Sequence, residues 1–128
     1  MNKEAAKKYL QEFLEKPGII NVDAGDVVFF LGKEGTTERF YGFGTSDRER
    51  GLQVAVNAAL EDLKKSLTGQ PDGVIMTIYG DALLLEVNDA ANYVAELLCG
   101  ETTNMIFGFV AAESEEPLQV MLAAARRK

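Results

Sequence analysis

The sequence predicts a single α+β domain in two layers, a roughly four-stranded mixed sheet with helices packed on it. Three observations carry that expectation. Hydrophobic residues make up 47% and charged residues 26% of the 128 residues, the balance of an ordinary globular domain of common size. Apolar residues recur at helical spacing in the leading segment and in two later stretches, with compact β-rich runs between them. Glycine, proline and acidic turns separate these runs, so that two leading helices are followed by strand, helix, strand, helix, strand, strand. A chain of this length buries roughly two-thirds of its unfolded surface, and one core suffices without staples.

Ala6, Tyr9, Leu10, Phe13 and Leu14 share one face of the first helix, with Lys and Glu opposite; Pro17 and Gly18 end it. After Gly18-Ile19-Ile20-Asn21-Val22, Asp23 suits the N-cap of a short apolar helix carrying Val27, Val28, Phe29 and Leu31, closed by Gly32. Lys33 to Thr37 reads as a turn and Thr37 to Phe43 as a strand, with Gly42 and Gly44 as a tight exit. Ser46 or Asp47 then caps the longest helix, through Leu52, Val56, Ala59, Leu60 and Leu63 to about Leu67, with Glu49 at capping-box spacing from Ser46. Thr68 to Gly73 breaks the chain. Val74 to Tyr79 is a strand, Gly80-Asp81 a turn, and Leu83-Leu84-Leu85 leads into a helix from Glu86 to Leu98. Asn104 to Val110 is a strand, Glu113 to Pro117 an acidic turn, and Leu118 to Ala124 the last strand; the short loop between the two predicts an antiparallel hairpin. Residues 1–32 form the leading helix, loop and short helix of this one domain, and residues 33–128 its α+β core.

Composition removes several function classes. The net charge of −7 argues against a broad nucleic-acid or anionic-lipid surface, and Arg126, Arg127 and Lys128 are too few to reverse it. No apolar run approaches the ~20 residues of a membrane span, and Asn2, Lys3 and Glu4 resemble no signal sequence, so a cytoplasmic location is expected. The chain has no histidine, which excludes every mechanism that needs an imidazole base, nucleophile or metal ligand. One cysteine, Cys99, rules out an internal disulfide; at the end of an apolar helix it reads as a buried thiol.

Three segments, in order and spacing, resemble the bacterial cell-division protein FtsZ of the tubulin-like family, and in particular its C-terminal domain. Pro17-Gly18-Ile19-Ile20-Asn21-Val22-Asp23-Ala24-Gly25-Asp26-Val27 looks like the synergy loop of that family, matched at Asn21, Asp23 and Asp26. Gly42-Phe43-Gly44 followed by Arg48, Glu49, Arg50 and the helix Ala55 to Leu60 is similar to the family's Gly-rich strand and Ala-rich helix. The third match is Gly73-Val74-Ile75-Met76-Thr77-Ile78-Tyr79-Gly80, then Leu85-Glu86-Val87-Asn88-Asp89-Ala90-Ala91, then Asn104-Met105-Ile106-Phe107-Gly108. The resemblance runs from Met1 to about Ala125. Ala24 departs from it where the family usually has an aromatic, and Gly25 loosens the helix start.

The resemblance implies that the loop of one subunit enters the nucleotide pocket of the next along a filament. Asp23 and Asp26 would then polarise the attacking water or hold a hydrated Mg²⁺ or K⁺ at the partner interface, and Asn21 would position the loop or the water. The expected role is self-association or docking onto an FtsZ-like partner, as an oligomer or on a filament, with GTPase-activating residues supplied in trans. The chain alone is not expected to be an enzyme or to hold a cofactor. It lacks the family's phosphate loop, Gly42-Phe43-Gly44 being a lone Gly-x-Gly, so GTP and Mg²⁺ are implied only through a partner. The family's linker and terminal membrane-recruiting peptide are also expected to be absent, and no direct membrane or nucleic-acid binding is expected.

Local physics offers a plainer account of the same residues: Asp23 as N-cap, Asp26 in the favourable field of a helix start, and Asn-x-Asp as a turn. Val28 and Phe29 form either core or a sticky patch. Glu86 and Asp89 stabilise a helix start, and Glu113, Ser114, Glu115 and Glu116 form a solvated turn. The alternative function is a stand-alone small-molecule-binding oligomer or enzyme of chorismate-mutase-like architecture. Its cationic candidates are Arg39, Arg48 and Arg50, for which pairing with Glu38, Glu49 or solvent is the plain reading.

Overall fold

The computed structural model describes residues 1–113 and 115–128. Its elements are α1 (Lys3–Glu15), α2 (Ala24–Leu31), β1 (Thr37–Ser46), α3 (Leu52–Lys64), β2 (Gly73–Gly80), α4 (Leu84–Leu98), β3 (Asn104–Ala111) and β4 (Leu118–Arg127). The sheet is mixed and four-stranded, in the order β1-β4-β2-β3. β2 and β3 run parallel, joined through α4, and β4 is antiparallel to both β1 and β2.

The expected hairpin of the last two strands is therefore wrong: β2 lies between β3 and β4. The reason is burial. From Val120 to Ala125 every residue of β4 is buried, on both faces, which only a central strand achieves. β3 instead leaves Asn104 exposed and Met105, Ile106 and Phe107 half-buried, as befits an edge.

Alternation along β2 and β4 splits the core in two. Val74, Met76 and Ile78, with Val120, Leu122 and Ala124, face α3 and α4. Ile75, Met121, Ala123 and Ala125 face the other way, toward Ala6 and Leu10 of α1 and Leu31 of α2. The expected two-layer unit of sheet and long helices is present, and the leading helices add a layer on the opposite face.

α1 is N-capped by Asn2, whose Oδ1 accepts the Ala5 N–H at 2.8 Å, and it buries Ala6, Leu10 and Phe13 as its spacing requires. Two expectations about α3 fail. Ser46 is the last residue of β1, paired with Leu118, and Asp47 closes a separate turn by accepting the Arg50 N–H at 2.7 Å. Gly51, at φ +91°, then releases the chain into a helix that begins only at Leu52. α4, at 15 residues, is longer than α3, at 13.

Gly42 and Gly44 do not mark a strand exit either. β1 continues through them to Ser46. A Cβ on Gly42 would stand 2.2 Å from the Ala59 carbonyl oxygen, and one on Gly44 2.1 Å from that of Ala55. The two glycines are a flat track on which α3 rests backbone against backbone. That close approach leaves no room for a phosphate at Gly42-Phe43-Gly44.

Candidate functional site

The segment from Gly18 to Val22 is stitched onto the edge of the sheet. The N–H groups of Ile19 and Ile20 donate to the Phe109 carbonyl at 2.9 and 3.2 Å, and the Phe109 N–H donates back to Ile20 at 2.8 Å. Side chains then alternate as in a strand: Ile20 packs toward the α3/α4 side, and Val22 is buried on the α1/α2 side. A Cβ on Gly108 would meet Val22 Cγ2 at 2.8 Å, so glycine there seats the loop. The polar residues of the segment are thereby turned outward on a fixed support.

Asn21 is exposed, and its Oδ1 accepts the Gly18 N–H at 3.0 Å, closing the turn that follows α1. Asp23 and Asp26 form a reciprocal capping box at the start of α2. Asp23 Oδ1 accepts the Asp26 N–H at 2.8 Å, and Asp26 Oδ2 accepts the Asp23 N–H at 3.0 Å. The capping reading is thus realised in full. Asp23 nevertheless stays exposed and Asp26 half-buried, and one oxygen of each carboxylate is engaged. Among the described residues the second oxygen of each accepts no protein hydrogen bond. The box fixes both carboxylates while leaving each an oxygen for a partner, and Gly25 between them leaves the approach open: the nearest atom to a Cβ there is Asp23 Oδ1, at 3.2 Å.

Beside this loop runs an apolar groove of about 430 Å³ lined by Ile20, Leu84, Leu85, Asn88 and Phe107. Leu83, Leu84 and Leu85 are all exposed, Leu85 at 70%, and Ile19 is exposed with them. On α2, Val28 and Phe29 form surface and not core, Phe29 being 70% exposed and stacked edge-on against Phe30 at 5.0 Å. The leucine patch was not read from the sequence, yet a signal existed. Successive helical residues point 100° apart, so three leucines in a row at a helix start cannot all face one core.

The arginines are not assembled into an anion clamp. Arg39 and Ser46 stand at opposite ends of β1, roughly 23 Å apart at strand rise. Arg48 Nη1 donates to Glu86 at 3.1 Å and to the Asp81 carbonyl at 2.9 Å, Arg50 pairs with Asp47 at 3.3 Å, and Arg39 donates to the Gly32 carbonyl. Their partners are therefore not the expected Glu38 and Glu49. Glu86 also accepts the Leu83 N–H at 2.8 Å, which accounts for it as a helix-start residue.

In the acidic turn, Glu116 accepts the Tyr79 hydroxyl, and Glu113 and Glu115 are exposed; Ser114 lies outside the described residues. Cys99 is half-buried, with Sγ 3.8 Å from Met105 Sδ. Burial pushes its thiol up, away from reactivity. Among the described residues no group of three or more His, Cys, Asp and Glu is placed to hold a metal ion, and no helix is long and apolar enough to cross a membrane.

No protein-family model matches the chain. Solved structures do. An empty FtsZ dimer from M. jannaschii superposes with a TM-score of 0.74 at 26% identity, over 98% of this chain and 40% of that one. A point mutant of FtsZ from M. jannaschii gives 0.75 at 24% identity, over 99% and 42%. CetZ from Methanosaeta thermophila strain DSM 6194 gives 0.64 at 17%, over 94% and 34%. The chain thus spans about two fifths of the FtsZ chains it matches. It carries, over nearly its whole length, the fold of the C-terminal domain of FtsZ and the tubulin-like proteins.

Proposed function

We propose that this domain is a cytoplasmic interaction module of the FtsZ kind. It self-associates or docks onto a nucleotide-bearing FtsZ-like partner, and it supplies Asp23 and Asp26 to that partner's phosphate pocket. One observation carries the reading. Two carboxylates are held in fixed orientation at an exposed helix start, on a loop whose Ile20 lines an apolar groove suited to a partner surface.

Hydrolysis of a γ-phosphate needs a water held in line with the departing oxygen and positive charge to offset what develops. The uncommitted oxygens of Asp23 and Asp26 accept hydrogen bonds from such a water and orient it. Asn21 acts by holding the loop closed on Gly18. Two carboxylates supply two of the six oxygens that Mg²⁺ requires, so phosphate and water from the partner's half must complete any shell. The chain's own half of the site is therefore geometric and anionic, and the nucleotide belongs to the other.

The test is to add the domain in excess to a GTP-loaded FtsZ-like protein and follow sedimentable polymer and phosphate release. Binding through the groove predicts a change in polymer mass that Leu85→Glu abolishes. Asp23→Asn with Asp26→Asn keeps the caps, since Asn caps as well as Asp, and is expected to leave docking intact while removing any gain in phosphate release. If neither polymer nor phosphate responds to excess protein, the docking reading is wrong.

A further inference from the structure

Between the first turns of α1, the α2–β1 turn and the start of β1 lies a cavity of about 320 Å³, lined in part by Lys3, Lys7, Thr37, Arg39, Tyr41 and Lys128. We propose that it is a binding site for a small phosphate, either inorganic phosphate or a phosphate monoester. One buried donor without a partner, a tyrosine hydroxyl on the cavity wall and a local reversal of charge lead to this assignment.

Tyr41 lines the cavity and is 5% exposed as a residue, but its hydroxyl is not a buried orphan: with no protein partner among the described residues, it keeps its access to solvent on the cavity side. Arg39 lines the same cavity; one of its guanidinium nitrogens, Nη2, donates to the Gly32 carbonyl, whereas Nε is buried with nothing to donate to. A buried donor of this kind calls for an explanation, and a missing acceptor is the direct one.

The cavity also gathers four cationic side chains against two carboxylates, Glu34 and Glu38, in a chain whose net charge is −7. Glu34 is taken up by Lys7, with which it forms an ion pair at the rim. The local surplus of two positive charges suits a dianion. Hydrogen-bond donors of three chemistries, guanidinium, phenol and ammonium, suit a tetrahedral oxyanion with several acceptor oxygens better than a planar carboxylate with two. The volume leaves room for a small group esterified to the phosphate. A polymeric phosphate backbone is disfavoured, because the rest of the surface repels it.

The test is an NMR titration of the intact chain with inorganic phosphate at constant ionic strength, repeated with glycerol phosphate and with acetate. Saturable shifts of the amides from residue 33 to residue 41 with either phosphate, and weak or no shifts with acetate, are expected. The tighter of the two phosphates identifies the source. Tyr41→Phe keeps the ring in place and removes only the hydroxyl, and Arg39→Lys keeps the charge and removes Nε; each should weaken binding about tenfold. Absence of saturable shifts up to tens of millimolar overturns the proposal. So does acetate binding as tightly as phosphate, or affinity unchanged in both variants while their amide spectra remain those of the folded domain.

Discussion

The seam between β1 and α3 and the loop from Gly18 to Asp26 are both written in small and polar residues, yet they do opposite things with them. At the seam, Gly42 and Gly44 vanish beneath the carbonyls of Ala59 and Ala55, and the backbones of strand and helix touch. At the loop, Gly25 faces almost nothing but the Asp23 carboxylate, and the polar atoms around it satisfy one another in a ring of short local hydrogen bonds. The seam is stabilised by what it excludes. The loop is stabilised by local bonds that leave a surface open to a partner. The docking proposed above would need both, because the loop is only as fixed as the sheet to which Phe109 stitches it.

One substitution applied to both regions separates them most sharply. Gly44→Ala sets a methyl group 2.1 Å from one α3 backbone atom and 2.6 Å from another, the Ala59 nitrogen. Neither can yield without moving the helix, so a loss of at least about 3 kcal/mol is expected by urea unfolding, up to failure to fold. Gly25→Ala, in contrast, should change stability by less than about 1 kcal/mol, since the gain in helix propensity is offset by a slight push on Asp23. Equal losses at the two positions would break the comparison.

Leu31→Ala is expected to have the next largest effect. Leu31 is the fully buried residue by which the eight-residue α2 is held to the sheet. Its truncation should cost about 3 kcal/mol. Hydrogen exchange should accelerate first across Ala24 to Leu31, because Leu31 is that helix's one buried side chain, Val27 and Phe30 being only half-buried. Uniform acceleration through α3 as well would mean that α2 and the seam are a single cooperative unit.

How far the sequence foretold these regions follows from which forces are local. Helical spacing placed α1 and most of the inward face of α4 correctly, because amphipathic periodicity is carried within each element; Leu97, expected inward with Val94 and Leu98, is instead exposed. Asp23 as N-cap was legible for the same reason: Asp, two residues and a second acid is a local geometry. Strand order was not local. The run from Val120 to Ala125, apolar on both faces, contained the sign that β4 is central, but a short connection from β3 argued for a hairpin and concealed it. The connection instead crosses the end of β2, where the Ala112 N–H donates to the Gly80 carbonyl at 3.1 Å. Gly42 and Gly44 were misjudged because a glycine that admits a neighbouring backbone and one that turns its own look identical in sequence. The leucines at the start of α4 were read only as a lead into the helix, since their exposure depends on where α4 lies against the loop.

Asp23→Ala tests the loop's own economy. Removing the carboxylate leaves the Asp26 N–H without its cap, while Asp26 Oδ2 still accepts the backbone N–H of residue 23, at a cost of about 1 kcal/mol in thermal or urea unfolding. Asp23→Asn should cost only a few tenths of that. The difference between the two substitutions isolates capping from charge. A cost for Asp23→Ala near that of Gly44→Ala would show the loop to be as closely packed as the seam.

The smallest effect is electrostatic and links the seam to its surroundings. Asp62 lies on α3. Burial pushes its carboxyl up, but the Phe43 N–H at 2.9 Å, the Met1 ammonium at 3.0 Å and Lys65 together hold it below its ordinary value of 3.8. A carboxyl whose folded pKa is lowered binds protons more readily when unfolded, so its stabilisation is complete above the unfolded value and is lost as pH falls through the folded one. The same direction holds at Asp47, where the Arg50 N–H is the main cause. The unfolding midpoint should therefore be flat near neutrality and fall as the solution is acidified below about pH 4. Asp62→Asn should flatten part of that decline while leaving the neutral-pH fold in place, since the amide oxygen can still accept from Phe43. An acid limb unchanged by Asp62→Asn would assign the decline to Asp47 in the turn before α3 and to Glu34, which its bond from Lys7 also holds low, and would leave the β1–α3 seam held by packing alone.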